Sequence, residues 1–150
     1  MHGAILITGA SSGIGAACAR YLDGLGFTVW AGVRRMEDGE ALARSTSARL
    51  RVLLLDVTDP DSIAAASRTL TEALPEAGLA GLVNNAGISV AGPLELLPLA
   101  EVRTQFEVNV IGALAVTQAL LPLLRRARGR IVNISSIAGL AATPFLGAYC

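Results

Sequence analysis

The chain has 150 residues, 53% of them hydrophobic and 16% charged, which suits one folded domain and argues against disorder. Its 12 basic and 12 acidic residues cancel, so no basic field points to nucleic acid or to an anionic membrane. Two cysteines, Cys18 and Cys150, do not make a disulfide framework or a metal site. The first element is an apolar strand over Ala4–Thr8. A glycine-rich turn follows, Gly9-Ala-Ser-Ser-Gly-Ile-Gly15, and it leads into a helix over Gly13–Leu25 that Gly24 and Gly26 bring to an end. Cys18 lies on that helix among alanines and reads as a small buried hydrophobe. Phe27–Val33 is predicted as the second strand, Glu37–Arg44 as a short helix and Leu50–Val57 as the third strand. Asp59-Pro60-Asp61-Ser62 opens a helix that runs to Leu74, with Asp59 or Asp61 as cap and Pro60 in the first turn. Leu82–Asn85 is the fourth strand. A long amphipathic helix runs from about Glu101 to Arg126, with Val102, Phe106, Val110, Leu114, Thr117, Leu121 and Leu124 on one stripe, and Pro122 is expected to kink its last turn. Ile131–Ser135 is the fifth strand.

Short strands that are apolar on both faces and alternate with helices predict a parallel sheet covered on both sides, with right-handed crossovers. The fold class expected is therefore α/β, a Rossmann-type doubly wound sheet, in one domain spanning residues 1–150. The N-terminus has no basic segment ahead of its apolar run, so it does not read as a secretory signal. The most apolar long stretch, Val110–Leu124, is interrupted by Thr117, Gln118 and Pro122 and falls short of the roughly 18 residues a membrane span requires. The reading is a soluble, cytoplasmic protein with no membrane span and no nucleic-acid partner.

The turn carries the first chemistry. A strand, a glycine-rich corner and a helix N-terminus together aim backbone N–H groups and the positive end of a helix dipole at one point, where a phosphate can sit. The spacing here is G-x-x-x-G-x-G, not the G-x-G-x-x-G of the usual dinucleotide fingerprint. Each glycine still has a task. Gly9 permits the sharp exit from the strand, Gly13 admits a pyrophosphate where a Cβ would block it, and Gly15 lets the helix pack close to the sheet. Ser11 and Ser12 add hydroxyl donors at the same corner.

Further along the chain, Thr8-Gly-Ala-Ser-Ser-Gly-Ile-Gly15 is followed by Asp56-Val57, Asn84-Asn-Ala-Gly87, Asn109, Ser135-Ser136 and Tyr149. In order and spacing this set resembles the short-chain dehydrogenase/reductase family, and the local texture is similar to its retinol- and hydroxysteroid-dehydrogenase-like members. The resemblance implies an NAD(P)-dependent oxidoreductase that interconverts an alcohol and a ketone or aldehyde, with a lipophilic substrate and a homo-oligomeric full-length protein. It implies that Thr8, Gly9, Ser11, Ser12, Gly13, Ile14 and Gly15 hold the cofactor phosphates. Asp56 would bind the adenine amino group beside the Val57 backbone, with a capping or turn aspartate as the alternative. Asn85, Ala86 and Gly87 would lie against the cofactor. Asn109 would hold a water for proton relay, the alternative being a structural hydrogen bond. Ser136 would hydrogen-bond the substrate oxygen, and Tyr149 would give or take the proton while hydride moves.

Cofactor choice follows from the end of the second strand, Ala31-Gly-Val-Arg-Arg35, which has no acid until Glu37. Arg34 and Arg35 favour the 2′-phosphate of NADP(H), with NAD(H) possible and a solvated basic turn as the alternative. A free tyrosine has a pKa near ~10 and needs a neighbouring cation to act at neutral pH. The family pattern supplies a lysine four residues after the tyrosine. All 12 basic residues here are arginine, and the sequence ends at Cys150. Set against the pattern, these residues match its cofactor-binding front part, so the sheet is expected to be incomplete at the C-terminus. The 150-residue chain alone is expected to be inactive, poorly soluble or held by another chain. A non-catalytic dinucleotide-binding module or redox sensor is the alternative reading.

Overall fold

The four residues of β1 (Ala4–Ile7) are all buried, and they divide between two cores by strand alternation. Leu6 points into one core and Ile5 and Ile7 into the other. The computed structural model describes residues 2–74 and 76–150. Its elements are β1, α1 (Gly13–Gly24), β2 (Thr28–Val33), α2 (Met36–Ala43), β3 (Leu50–Leu54), α3 (Pro60–Ala73), β4 (Gly81–Asn84), α4 (Leu99–Phe106), a π-helical segment (Glu107–Gly112), α5 (Ala113–Ala127) and β5 (Arg130–Asn133). A 3₁₀ turn, Ile137–Gly139, follows. All strand pairs are parallel, in the order β3-β2-β1-β4-β5. The expected Rossmann-type sheet is thus present, and its strand order reverses between β1 and β4, where such sheets open a crevice.

Helices α1 and α2 cover one face, where Ala16, Ala19 and Leu42 meet Ile5, Ile7, Val29 and Val33. Helices α3 and α5 cover the other, where Ile63, Leu70, Val116, Leu120 and Leu123 meet Leu6, Leu53 and Leu82. Each buried leucine, isoleucine or valine among them contributes ~1.5–3 kcal/mol by leaving water, which is why the strands read as apolar on both faces. Asp59 caps α3, its carboxylate accepting the Asp61 N–H at 3.0 Å. Gly26, at φ +92°, is the residue that ends α1, and the Phe27 N–H returns to the Leu22 carbonyl at 3.1 Å.

The long helix departs from its expected phase as far as Leu114, while Leu124, at the far end of the expected stripe, is buried. Phe106, Val110 and Leu114 are 54%, 51% and 52% exposed, whereas Gln105, Gly112, Val116, Leu120 and Leu123 are buried. The expected stripe extrapolates a single 3.6-residue period across the whole element. The π-helical segment, with its i→i+5 pattern, breaks that phase between α4 and α5. Gly112 comes so close to the third crossover that a Cβ there would lie 2.7 Å from the Val57 carbonyl oxygen. The helix is also longer than expected. Leu99–Ala127 makes 29 helical residues whose most apolar window has a mean hydropathy of 1.6, long and apolar enough by length and composition to cross a membrane. The shorter estimate fails because Thr117, Gln118 and Pro122 do not interrupt the helix. In this fold its buried face packs on α3 and β4. Strand β5 lies at the sheet edge, with Ile131 and Val132 41% and 50% exposed.

Asp23, at the end of α1, is 5% exposed and anchors the loop ahead of β3. Burial opposes its charge. The Ser47 hydroxyl and the Ser47 N–H at 2.9 Å, with the Arg49 guanidinium at 3.8 Å, outweigh that and hold the carboxyl below its ordinary 3.8. A carboxylate with a depressed folded pKa adds stability that is present above its ordinary pKa and is lost as pH falls through the folded value. Asp23→Asn should therefore lower stability by about 1–3 kcal/mol at pH 7. Its deficit relative to the parent should shrink on acidification below 3.8. Urea melts at neutral and acid pH check this, and a deficit independent of pH would exclude the charge as its source.

Candidate active site

The tips of β1 and β4 are joined by side chains rather than by ladder bonds alone. The Thr8 hydroxyl accepts the N–H groups of Asn85 and Ala86, both at 3.0 Å. The Asn85 amide donates back to the carbonyls of Thr8 and Gly9, at 2.9 and 3.1 Å. Thr8 is 2% exposed, so removing its oxygen would leave two N–H groups short of a partner, at ~1–3 kcal/mol each. Asn84, also buried, donates to the Thr117 hydroxyl at 3.0 Å and to the Asn133 side-chain Oδ1 at 2.9 Å, tying β4 to α5 and β5.

These bonds seat the glycine turn. Gly9 and Gly13 have φ of +64° and +53°, and a Cβ on Gly15 would lie 2.4 Å from the Gly9 carbonyl oxygen. Helix α1 therefore starts hard against the strand tip. Ser12 is its N-cap with no side-chain bond, and no atom stands within 4 Å of where a Gly13 Cβ would be. The first N–H groups of α1 have no carbonyl one turn back, and they face open space at the positive end of the helix. Ser11, Ser12 and Ile14 are exposed beside them. Free donors, open space and a helix terminus fit a pyrophosphate.

Farther along the sheet edge, Arg34, Leu53, Leu54, Asp56 and Ser62 line a second hollow of about 540 Å³. Asp56 builds a turn: its Oδ1 accepts the Thr58 N–H at 2.9 Å and the Thr58 hydroxyl at 2.7 Å. Those two bonds, with the Arg34 charge, hold its carboxyl below the ordinary range against the opposing effect of partial burial. Oδ2 is the oxygen left for an outside donor. Val57 is buried, with its carbonyl against Gly112. The two arginines part company here. Arg35 forms a two-point bond with Asp38, at 3.0 and 3.1 Å, while Arg34 lines the hollow with Asp56. The pairing of Arg35 is exposed and so weak.

The main cleft, of about 1060 Å³, runs from Ile14 past Asn85–Gly87 to Asn109, Ser136 and Tyr149. It brings the predicted chemistry-bearing residues together. Asn109, in the π-helical segment, is engaged at both ends of its amide: it accepts the Ile88 N–H at 2.9 Å and donates to the Ile88 carbonyl at 2.8 Å. Gly87 lies against it, a Cβ there falling 3.4 Å from Asn109 Oδ1. Ser136 caps the 3₁₀ turn, its oxygen accepting the Ala138 N–H at 3.2 Å, which leaves its own proton to donate. Tyr149 sits in a turn closed by its N–H to the Leu146 carbonyl at 2.8 Å. Sequence reasoning missed Gln105. It is 3% exposed, one helical turn before Asn109, and its amide reaches both the Val90 N–H and the Ala148 carbonyl. A second amide four residues from Asn109, on the same helical face, was the available signal.

A family model described as short chain dehydrogenase matches residues 3–150. Retinol dehydrogenase 16 of Homo sapiens is 46% identical over 147 residues, 97% of this chain and 46% of that protein. For 17-beta-hydroxysteroid dehydrogenase type 6 of Homo sapiens the identity is 47% over 147 residues, again 97% and 46% of the two chains. Among solved structures, an alcohol dehydrogenase from the archaeon Thermococcus sibiricus, complexed with 5-hydroxy-NADP, superposes with a TM-score of 0.91 at 29% identity. That match covers 99% of this chain and 64% of the other. The chain spans about half the length of the curated relatives it matches. With its strand order, its glycine turn and its Asn109, Ser136 and Tyr149 on one cleft, the chain belongs to the short-chain dehydrogenase family.

Proposed function

We propose that the protein is an NAD(P)-dependent oxidoreductase that interconverts an alcohol and a ketone or aldehyde, with NADP(H) as the preferred cofactor. The observation that carries this reading is the single cleft in which the glycine turn's Ile14 and the strand tip Asn85–Gly87 meet Asn109, Ser136 and Tyr149. The first turn of α1 would hold the cofactor pyrophosphate, and Asp56 would accept from its adenine amino group. Bound there, the cofactor supplies a carrier for hydride. Ser136 donates to the substrate oxygen with the proton that its bond from Ala138 leaves free. Tyr149 takes the hydroxyl proton as an alcohol is oxidised and returns it as a carbonyl is reduced. Asn109, bonded to both backbone groups of Ile88, holds the cleft wall opposite.

The substrate class proposed is a small lipophilic alcohol or carbonyl compound. Support comes from the retinol and hydroxysteroid dehydrogenases among the relatives and from apolar Val110, Leu114 and Ile134 along the cleft. A homo-oligomer belongs to the same reading, supported by exposed apolar Leu99, Phe106 and Ile111 on the long helix, outside the cleft.

The NADP(H) preference rests on Arg34, since Arg35 is shared with Asp38. In the full-length protein, Arg34→Ala should weaken NADPH binding about tenfold, as expected for one charge-assisted hydrogen bond, and leave NADH binding within twofold. Fluorescence titration with both cofactors measures this, and tighter binding of NADH by the parent would overturn the preference. Tyr149→Phe should lower kcat at least about 100-fold with cofactor affinity unchanged, because only the proton-transferring hydroxyl is lost. Retained turnover in that variant would remove Tyr149 from the chemistry.

A further inference from the structure

Four polar residues are buried among the described residues: Thr8, Asp23, Asn84 and Gln105. The first three join strand tips or anchor a helix end, as described above. Gln105 instead connects two segments far apart in sequence. Its Oε1 accepts the Val90 N–H at 2.7 Å, and its Nε2 donates to the Ala148 carbonyl at 2.6 Å. An amide this buried is costly unless both ends are paired, and here both are.

What lies at the far end gives the contact its meaning. The peptide unit between Ala148 and Tyr149 is held on both edges: its carbonyl oxygen by Gln105, and its N–H by the Leu146 carbonyl at 2.8 Å. Among the described residues, the one other backbone bond from the segment around it to the body runs from the Gly92 N–H to the Phe145 carbonyl, at 2.7 Å. That second tether lies four residues upstream, at Phe145, itself a positive-φ residue, and does not fix the plane from which Tyr149 departs. One helical turn along, Asn109 clamps Ile88 by both backbone groups. Two amides at i and i+4 on one helix therefore hold one wall of the cleft at Ile88 and Val90. Gln105 carries that hold across to the tyrosine through its bond to the Ala148 carbonyl.

We infer that Gln105 is a positioning residue that sets the Tyr149 side chain in the cleft by fixing the Ala148–Tyr149 peptide plane. The inference rests on Tyr149 as the proton-transferring group. Gln105 touches neither the glycine turn nor the Arg34 hollow, so its loss affects the chemical step and spares cofactor binding.

Two substitutions separate its two bonds. Gln105→Glu keeps an acceptor for the Val90 N–H, but its ionised carboxylate cannot donate to the Ala148 carbonyl. Gln105→Met fills the same volume and makes neither bond. In the full-length protein, hydrogen exchange followed by mass spectrometry should show faster exchange in the peptide containing residues 146–150 for both variants. The peptide containing Val90 should lose protection in Gln105→Met and keep it in Gln105→Glu. In turnover assays kcat should fall about tenfold in both, the size of one lost buried hydrogen bond, while KM for NADPH stays within twofold. A protonated carboxyl presents one donor and one acceptor, as the amide does. The ratio of the Gln105→Glu kcat to that of the parent should therefore rise as pH is lowered, and the Gln105→Met ratio should stay flat.

Unchanged exchange at 146–150 in Gln105→Glu would overturn the inference, as would a kcat within twofold of the parent or a KM for NADPH that rises in step with the loss of kcat. Should the parent lack oxidoreductase activity altogether, the proposed function fails. The exchange measurement would still decide whether Gln105 holds the tyrosine segment.

Discussion

One hydroxyl group stands at the junction on which the site depends. Thr8 Oγ1 takes the N–H groups of both Asn85 and Ala86, and Asn85 returns two bonds to the backbone of Thr8 and Gly9. The ladder between β1 and β4 runs out at this point, and the chain on each side turns away. Without a side-chain bridge the two tips would splay, because backbone groups at a strand end have no partners of their own. With it, the glycine turn and the Asn85–Gly87 turn share one frame, and the crevice between them has fixed walls.

That frame also explains how the glycine turn can stay open. Gly15 is pressed against the Gly9 carbonyl and the Asn85 amide, so the start of α1 cannot drift away from the strand. Gly13 faces nothing. Close packing at one glycine and open space at the next leave room beside the first turn of α1. The Arg34 and Asp56 hollow lies at the carboxyl end of β2 and β3, on the same edge of the sheet as the turn.

Much of this was legible in the sequence, and the parts that were not share a physical cause. The alternation of elements, the Asp59 cap and the glycine turn depend on local chemistry, and local chemistry is written in short windows. The sequence pattern carries the first strand to Thr8 and the third to Val57, both of which are buried although the ladders stop at Ile7 and Leu54. Arg35 looked equivalent to Arg34 until Asp38, three residues on, proved to be its partner. One helical period carried across the π-helical segment puts Phe106, Val110 and Leu114 on the buried face, and the structure exposes them. The same error hid Gln105, which falls off the assumed stripe beside exposed Phe106. No windowed pattern announces a change of helical pitch, since the cause lies in which neighbours the helix must meet.

The π-helical segment also ties helix geometry to the integrity of the site. A single turn of looser pitch lets the same helix present Gln105 and Asn109 to the cleft at one end and Val116, Leu120 and Leu123 to the core at the other. Relaxing it to a regular helix would improve its internal bonding and swing one of those faces out of place. The helix therefore behaves like a shaft with a fixed twist between two keyed ends. Stability gained by straightening it is gained at the expense of the residues that reach Ile88, Val90 and Ala148. In this molecule the less regular backbone is the one compatible with both a closed core and an assembled cleft.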